Sequence, residues 1–156
     1  MSVVVYDTGM LIALVNQDRR ARARHAGFVA AGGHLPIVPG PALSQAYRTS
    51  PKTAYAWKRL LGEVFVHPAA RGMPVGELLP RCLPCAGGLS VEHWKTLGDI
   101  LGGAVLPPKK RPDPVDALAV LIAVAHGGGV VMTSDKDDIE AYAATLPGHE
   151  VTAVAV

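Results

Sequence analysis

The chain has 156 residues, of which 49% are hydrophobic and 18% are charged, with a formal net charge of +2. This size and composition fit one globular domain with a buried core. No apolar run approaches the roughly 18 to 20 residues that a membrane span needs, and the first residues lack the basic segment and cleavage site of a signal peptide. Two cysteines are too few for a disulfide scaffold, so we expect a cytoplasmic protein.

The charged residues are distributed unevenly along the chain. Residues 1–112 contain 14 Lys or Arg and 6 Asp or Glu, whereas residues 113–156 contain 1 Lys and 7 acids. A basic surface beside an acidic cluster suits a protein that binds a polyanion and gathers metal ions at one point. Uneven charge on ordinary solvated faces is the alternative, and charge alone does not decide between the two.

The first predicted strand ends at a carboxylate. An uninterrupted β-branched run over residues 3–5 is typical of a strand buried on both faces, and helical periodicity resumes at Met10. Asp7 therefore follows a central strand, at the edge where open α/β sheets bind ligands. The alternative is that Asp7 only caps the next helix.

Strands and helices then alternate. We predict a helix from Asp18 to the glycines at 32–33, a strand at 34–39, a helix from Ala42, a helix from Pro51 and a strand at 64–66. This alternation predicts a three-layer α/β/α fold with a central parallel sheet of about five strands. Gln45, near the start of its helix, is expected to point toward the same sheet edge as Asp7.

Residues 68–90 are rich in proline and glycine and predict an irregular insertion in a single domain that spans 1–156. The insertion contains Cys82 and Cys85 in a CxxC spacing. A zinc site needs four ligands, and only His67 and His93 are near in sequence. We interpret the pair as reduced or locally bridged thiols. A thioredoxin-like motif would follow a strand and open a helix, which this one does not.

The second half of the chain supplies more acids. A helix over 91–101 and a basic, proline-rich loop lead into a helix that is apolar almost all round. Asp113 is a natural N-cap for that helix, but Asp116 lies one turn further in, where capping does not explain it. A fourth strand at 130–132 is followed by Thr133, Ser134 and Asp135, then by an acidic helix start and a fifth, edge strand at 150–156.

Three acids, Asp7, Asp116 and Asp135, are expected to converge. Carboxylates packed together repel one another and take up protons, so such a cluster persists near neutral pH chiefly by holding a divalent cation. Ligation by oxygen alone favours Mg²⁺ or Mn²⁺ over zinc.

These motifs resemble those of PIN-domain ribonucleases, in particular the VapC-type toxins of bacterial toxin–antitoxin pairs. The similarity rests on residues 5–14, on Asp116-Ala117-Leu118 and on Thr133-Ser134-Asp135. It implies a PIN-like fold, hydrolysis of structured RNA such as tRNA or ribosomal RNA, a VapB-like antitoxin partner and a homodimer. The family usually has a glutamate where this chain has Gln45, so we expect one well-held metal.

The resemblance and the charges together assign roles to individual residues. Asp7, Asp116 and Asp135 would hold Mg²⁺ or Mn²⁺ and activate water, with Asp113 or Asp138 joining through water. Supporting residues would be Thr8, Gln45, Thr133 and Ser134. Candidate contacts to the RNA backbone are Arg19, Arg22, Lys109, Lys110 and Arg111.

Two other functions are consistent with parts of the sequence. One is a non-catalytic PIN-like module that binds RNA or regulates, its chemistry weakened by Gln45. The other is an aspartyl-phosphate enzyme or receiver with Asp7 as nucleophile, and a receiver would have that nucleophile after a middle strand. A phosphatase of that kind would have a second acid two residues after Asp7, where this chain has Gly9.

Overall fold

The computed structural model describes residues 2–48, 50–67 and 83–156. Cys82 and the first part of the predicted insertion lie outside the described residues. The elements in chain order are β1 (Val3–Tyr6), α1 (Thr8–Val15), α2 (Arg19–Ala31), β2 (Ile37–Pro39), α3 (Gly40–Ala46), α4 (Ala54–Leu61), β3 (Phe65–His67), α5 (Leu83–Gly87), α6 (Val91–Gly103), α7 (Pro114–Ala125), β4 (Gly129–Thr133), α8 (Lys136–Ala143) and β5 (Val151–Ala155).

The five strands form one parallel sheet in the order β3-β2-β1-β4-β5, so the prediction that the first strand is central is confirmed. The chain passes from β1 outward to β3 and returns to β4 on the other side of β1. Tyr6 is in register with Met132, and the Asp7 backbone N–H donates to the Met132 carbonyl at 3.1 Å. The strand order therefore reverses between β1 and β4, and this switch point is where open α/β sheets form a ligand-binding crevice.

Successive strand residues point into two separate cores. Val5 and Val131 pack with α5–α8, whereas their neighbours Tyr6 and Met132 pack with α1–α4. This alternation follows from the two-residue period of a strand. Because both faces are covered by helices, the three-layer α/β/α prediction is confirmed.

Helix α7 spans one core from end to end. Every residue from Ala117 to Ala123 is buried, as its apolar sequence predicted. Asp113 caps its N-terminus by accepting a 2.8 Å hydrogen bond from the Val115 backbone N–H, and Pro114 occupies the first helical position, where a missing N–H costs nothing. No helix in the described part of the chain is long and apolar enough to cross a membrane.

Several predicted boundaries were wrong by a few residues. Helix α3 begins at Gly40 instead of Ala42 because Pro41 is accommodated in its first turn. Helix α4 begins at Ala54 instead of Pro51, after a turn. Residues 83–87, predicted to be irregular, form the short helix α5.

The turns that follow β1 and β4 touch at Gly9. A Cβ atom on Gly9 would lie 2.2 Å from the Ser134 Oγ and 2.6 Å from the Ser134 Cβ. Rotation of the Ser134 hydroxyl would not relieve the second contact, so a side chain at residue 9 must push the two turns apart.

We expect Gly9→Ala to lower the free energy of unfolding by roughly 1–3 kcal/mol, the usual cost of overpacking. Gly98→Ala is the matched control, because Gly98 lies in α6 and a Cβ atom there would have no neighbour within 4 Å among the described residues. That substitution should stabilise the protein by up to about 1 kcal/mol through helix propensity. Urea unfolding measures both, and equal stability of the two variants would contradict the assigned contact.

Candidate metal centre

Asp7 is held by donors from both turns at the switch point. Its side chain is only 3% exposed, and Oδ1 accepts a 2.9 Å hydrogen bond from the Met10 backbone N–H. Backbone N–H groups of Gly9 and Ser134 and the Thr133 hydroxyl also donate to it. Burial raises the pKa of Asp7, and these four hydrogen bonds oppose the rise. Asp7 therefore caps α1 and also presents a carboxylate at the crevice.

Thr133 connects Asp7 to Asp135. Its buried hydroxyl donates to Asp7 and accepts a 2.9 Å hydrogen bond from the Asp135 backbone N–H. The Asp135 side chain makes no capping bond to α8. Ser134, between them, lies against Gly9 of the other turn. Thr133 and Ser134 thus link the residues that follow β4 to those that follow β1.

Asp116 lies in the field of four other acids. Burial raises its pKa most, and the charges of Asp113, Asp7, Asp138 and Asp135 add to the rise in that order of size, to a pKa of about 7. The rise therefore reflects burial first and the neighbouring negative charges second. The five acids that were named from the sequence as ligands or possible ligands therefore influence one another electrostatically, but among the described residues no three of their carboxylates lie within 4.8 Å of one another as a group that could hold a metal ion.

A lysine already forms ion pairs with two acids of this cluster. The Lys110 Nζ lies 2.6 Å from Asp135 Oδ2 and 2.7 Å from Asp138 Oδ1, and it donates a hydrogen bond to Asp135. Hydrogen bonds and charge from these two acids raise the pKa of Lys110. Lys110 was predicted to contact RNA, but the structure places its ammonium group in an ion pair with the acids. Within the described ranges, no other cationic side chain pairs with this cluster.

Tyr142 is a neighbour of the site that sequence reasoning missed. Its ring is fully buried, and its hydroxyl accepts a 2.7 Å hydrogen bond from the Asp113 backbone N–H. Burial and the charges of Asp138, Asp116 and Asp113 raise its pKa. The signal in the sequence was the spacing: Tyr142 is one helical turn after Asp138, so both belong to the same buried face of α8.

Gln45 lies beside the first of the site's turns. The Thr8 hydroxyl donates to Gln45 Oε1 at 2.7 Å, which places α3 next to the residue that follows Asp7. Both side chains are near the sheet edge where the sequence predicted them. Gln45 contributes an amide oxygen here and no charge.

The basic residues fall into two groups. Lys109 and Arg111 are exposed on either side of Lys110. Arg19 and Arg22 instead line a cleft of about 540 Å³ between α1, α2 and α4, and none of the five acids is among the described residues that line it. The predicted RNA contacts therefore do not form one continuous surface around the acids.

Comparison of the sequence with protein-family models and with curated proteins finds no match. The interpretation of this site therefore rests on its geometry and on the motifs in the sequence.

The raised pKa of Asp116 predicts how the metal-free protein responds to pH. Between about pH 4 and pH 7 the folded protein keeps a proton that the unfolded chain has lost, so the free energy of unfolding should fall as pH rises through this range. Asp116→Asn should flatten the fall and make the protein more stable than the parent above pH 7. The measurement is urea unfolding in the presence of a chelator.

Asp99→Asn is the matched control, because Asp99 is exposed on α6. This substitution should leave the slope of the free energy of unfolding against pH unchanged. Some slope should persist in Asp116→Asn, since burial also raises the pKa of Asp7. A slope in Asp116→Asn equal to that of the parent would show that Asp116 does not carry the effect.

Proposed function

We propose that this chain is a metal-dependent endoribonuclease of the PIN type, acting as the toxin of a toxin–antitoxin pair on a structured RNA such as tRNA or ribosomal RNA. The observation that carries the proposal is that the charges of four other acids act on the half-buried Asp116, beside the β1–β4 switch point. The order of the motifs in the sequence supports the choice of family. A VapB-like antitoxin, a homodimer and a cytoplasmic location belong to the same proposal.

The donor set fits a hard divalent cation. Its candidate ligands are carboxylate oxygens, the donors that Mg²⁺ and Mn²⁺ prefer. Lys110 balances one negative charge of the cluster, and Asp7, Asp113 and Asp116 make no ion pair among the described residues. A cation bound by Asp7, Asp116 and Asp135 would relieve the repulsion that raises the pKa of Asp116.

The surrounding residues orient these acids. Thr133 fixes the Asp7 carboxylate and, through the Asp135 backbone, the end of β4. Thr8 and Ser134, in the two turns, are placed to contact a phosphate at the crevice. When bound, Mg²⁺ or Mn²⁺ supplies positive charge for the phosphate oxygens and lowers the pKa of a water molecule. Hydrolysis of this kind leaves a 5′-phosphate and a 3′-hydroxyl.

RNA binding is assigned to the exposed basic residues nearest the acids. Lys109 and Arg111 flank Lys110, which pairs with Asp135. RNA bound by these two residues would therefore lie next to the acidic cluster. Contacts of this kind go to the phosphate backbone and would weaken with salt.

A non-catalytic RNA-binding module is the second candidate. Two observations favour it. Gln45 has no charge where it contacts Thr8, and Lys110 already forms ion pairs with Asp135 and Asp138. In this case the acids would bind a cation only weakly and the chain would hold RNA without cleaving it.

Cleavage of a structured RNA in Mg²⁺ or Mn²⁺ tests the first candidate. Asp7→Asn, Asp116→Asn and Asp135→Asn should each reduce the cleavage rate on the order of 100-fold or more, because each removes a ligand charge. Asp137→Asn is the control. Asp137 is an exposed acid in the first turn of α8, and it makes no ion pair in the described part of the chain. RNA binding without cleavage by the parent in either metal would support the second candidate instead.

Lys110 should compete with the metal. Removing its ammonium group leaves Asp135 and Asp138 uncompensated, so we expect Lys110→Ala to bind Mg²⁺ or Mn²⁺ several-fold more tightly, by isothermal titration calorimetry. The control is Lys109→Ala, which removes a neighbouring exposed lysine and should leave metal affinity unchanged. Weaker metal binding by Lys110→Ala than by Lys109→Ala would show that the lysine supports the metal site.

A further inference from the structure

A second cluster of potential ligands lies in the core on the α7 side of the sheet. His34 precedes β2, Cys85 lies in α5 and His126 is the C-cap of α7. The Cys85 Sγ is 3.2 Å from His34 Nε2 and 3.0 Å from His126 Nε2, and one ligand atom from each residue lies within 4.8 Å of the others. Three side chains from distant parts of the sequence thus converge on one point.

Hydrogen bonds fix the orientation of both imidazoles. The His34 Nδ1 lies 2.6 Å from the Leu35 carbonyl oxygen, and the His126 Nδ1 lies 2.7 Å from the Ile122 carbonyl oxygen. A carbonyl oxygen only accepts, so each Nδ1 carries the hydrogen and each Nε2 directs a lone pair at the Cys85 sulfur. A backbone carbonyl bound to the second ring nitrogen is the usual arrangement around a metal-ligating histidine.

The two Nε2 atoms that face Cys85 both need a donor or a cation. A thiol has one hydrogen, so it can donate to only one of them. A metal cation between the three atoms satisfies all of them. At the usual Zn–S and Zn–N bond lengths, two ligands of a tetrahedral zinc ion lie about 3.5 Å apart, close to the separations observed.

A third histidine borders the cluster. His67, at the end of β3, is 1% exposed, and its ring centroid is 6.3 Å from that of His126. Its Nε2 lies 3.3 Å from the Pro84 carbonyl oxygen, and its buried Nδ1 has no hydrogen-bond partner among the described residues. The surroundings of Cys85 are therefore rich in imidazole and contain a buried nitrogen that lacks a donor.

We propose that His34, Cys85 and His126, with a water molecule as the fourth ligand, bind one Zn²⁺ ion that fastens α5 to the start of β2 and to the C-terminal end of α7. One thiolate and two imidazoles are ligands that zinc prefers, and they are not the ligands of Mg²⁺. From the sequence, only His67 and His93 were considered as partners for the cysteines. The structure instead brings in His34 and His126, which are remote in sequence.

The proposed zinc site is structural and separate from the acidic cluster. Cys85 is 2% exposed, so a substrate cannot reach its sulfur as it would a catalytic nucleophile. Asp116 and His126 lie ten residues apart, near opposite ends of α7, which separates them by about 15 Å along the helix axis. Loss of either metal should therefore leave ligands for the other in place.

The test is zinc binding by the full chain. The metal-free protein is titrated with Zn²⁺ in competition with a chromophoric chelator, and bound metal is counted by mass spectrometry after desalting. We expect one Zn²⁺ per chain and a melting temperature roughly 5 °C higher with zinc. Co²⁺ in place of zinc should give a thiolate-to-cobalt charge-transfer band.

Cys85→Ser and His126→Ala should each weaken zinc binding on the order of 100-fold or more, since even outer-shell changes cost 10- to 100-fold. His149→Ala, an exposed imidazole, and Asp116→Asn, in the other cluster, are controls that should still bind one zinc. Circular dichroism establishes that each variant is folded. Absence of zinc binding by the parent, or equal binding by Cys85→Ser and His149→Ala, would overturn the proposal. Loss of zinc in Asp116→Asn would assign the ion to the acids instead.

Discussion

The close approach of the turns after β1 and β4 is the constraint on which the acidic site depends. Asp7 is buried, so its carboxylate is tolerated only because donors from both turns surround it. Those donors reach it because Gly9 has no side chain to keep Ser134 away. The reversal of strand order places the two turns side by side, and the lack of a Cβ at one residue lets them touch.

The same constraint makes the cluster electrostatically costly. Hydrogen bonds compensate the burial of Asp7 in part, but Asp116 faces four acids, and its pKa rises to about 7. Lys110 reduces the repulsion among the carboxylates by forming ion pairs with Asp135 and Asp138. The metal-free protein thus contains an internal cation that opposes the binding of an external one. The affinity of the proposed metal site would depend on the competition between Lys110 and the metal ion for these carboxylates, and the number of carboxylates alone would not determine it.

Local patterns in the sequence predicted the sheet and its central strand, and they assigned the acids to one edge of that sheet. They succeeded because each acid follows a strand or begins a buried helix, and in a parallel sheet those positions share one edge. The local patterns did not predict tertiary contacts. In the sequence the proline-rich basic loop is like any solvated loop, and only the fold shows that Lys110 points toward the acids. The ligands around Cys85 were missed for a related reason. Zinc-site spacing is recognised when ligands are close in sequence, but whole elements separate His34 and His126 from the cysteine.

Helix α7 relates the two clusters to each other. Its apolar middle packs between the sheet and the neighbouring helices, and this packing fixes the positions of both ends. The residues around the two ends differ in chemistry. The N-terminal end places Asp116 among other hard oxygen donors, and the C-terminal end places His126 beside a thiol and an imidazole. Ligand chemistry would keep Mg²⁺ and Zn²⁺ from exchanging sites. A zinc ion at the second end would hold the helix in place, while a cation at the first would take part in the reaction.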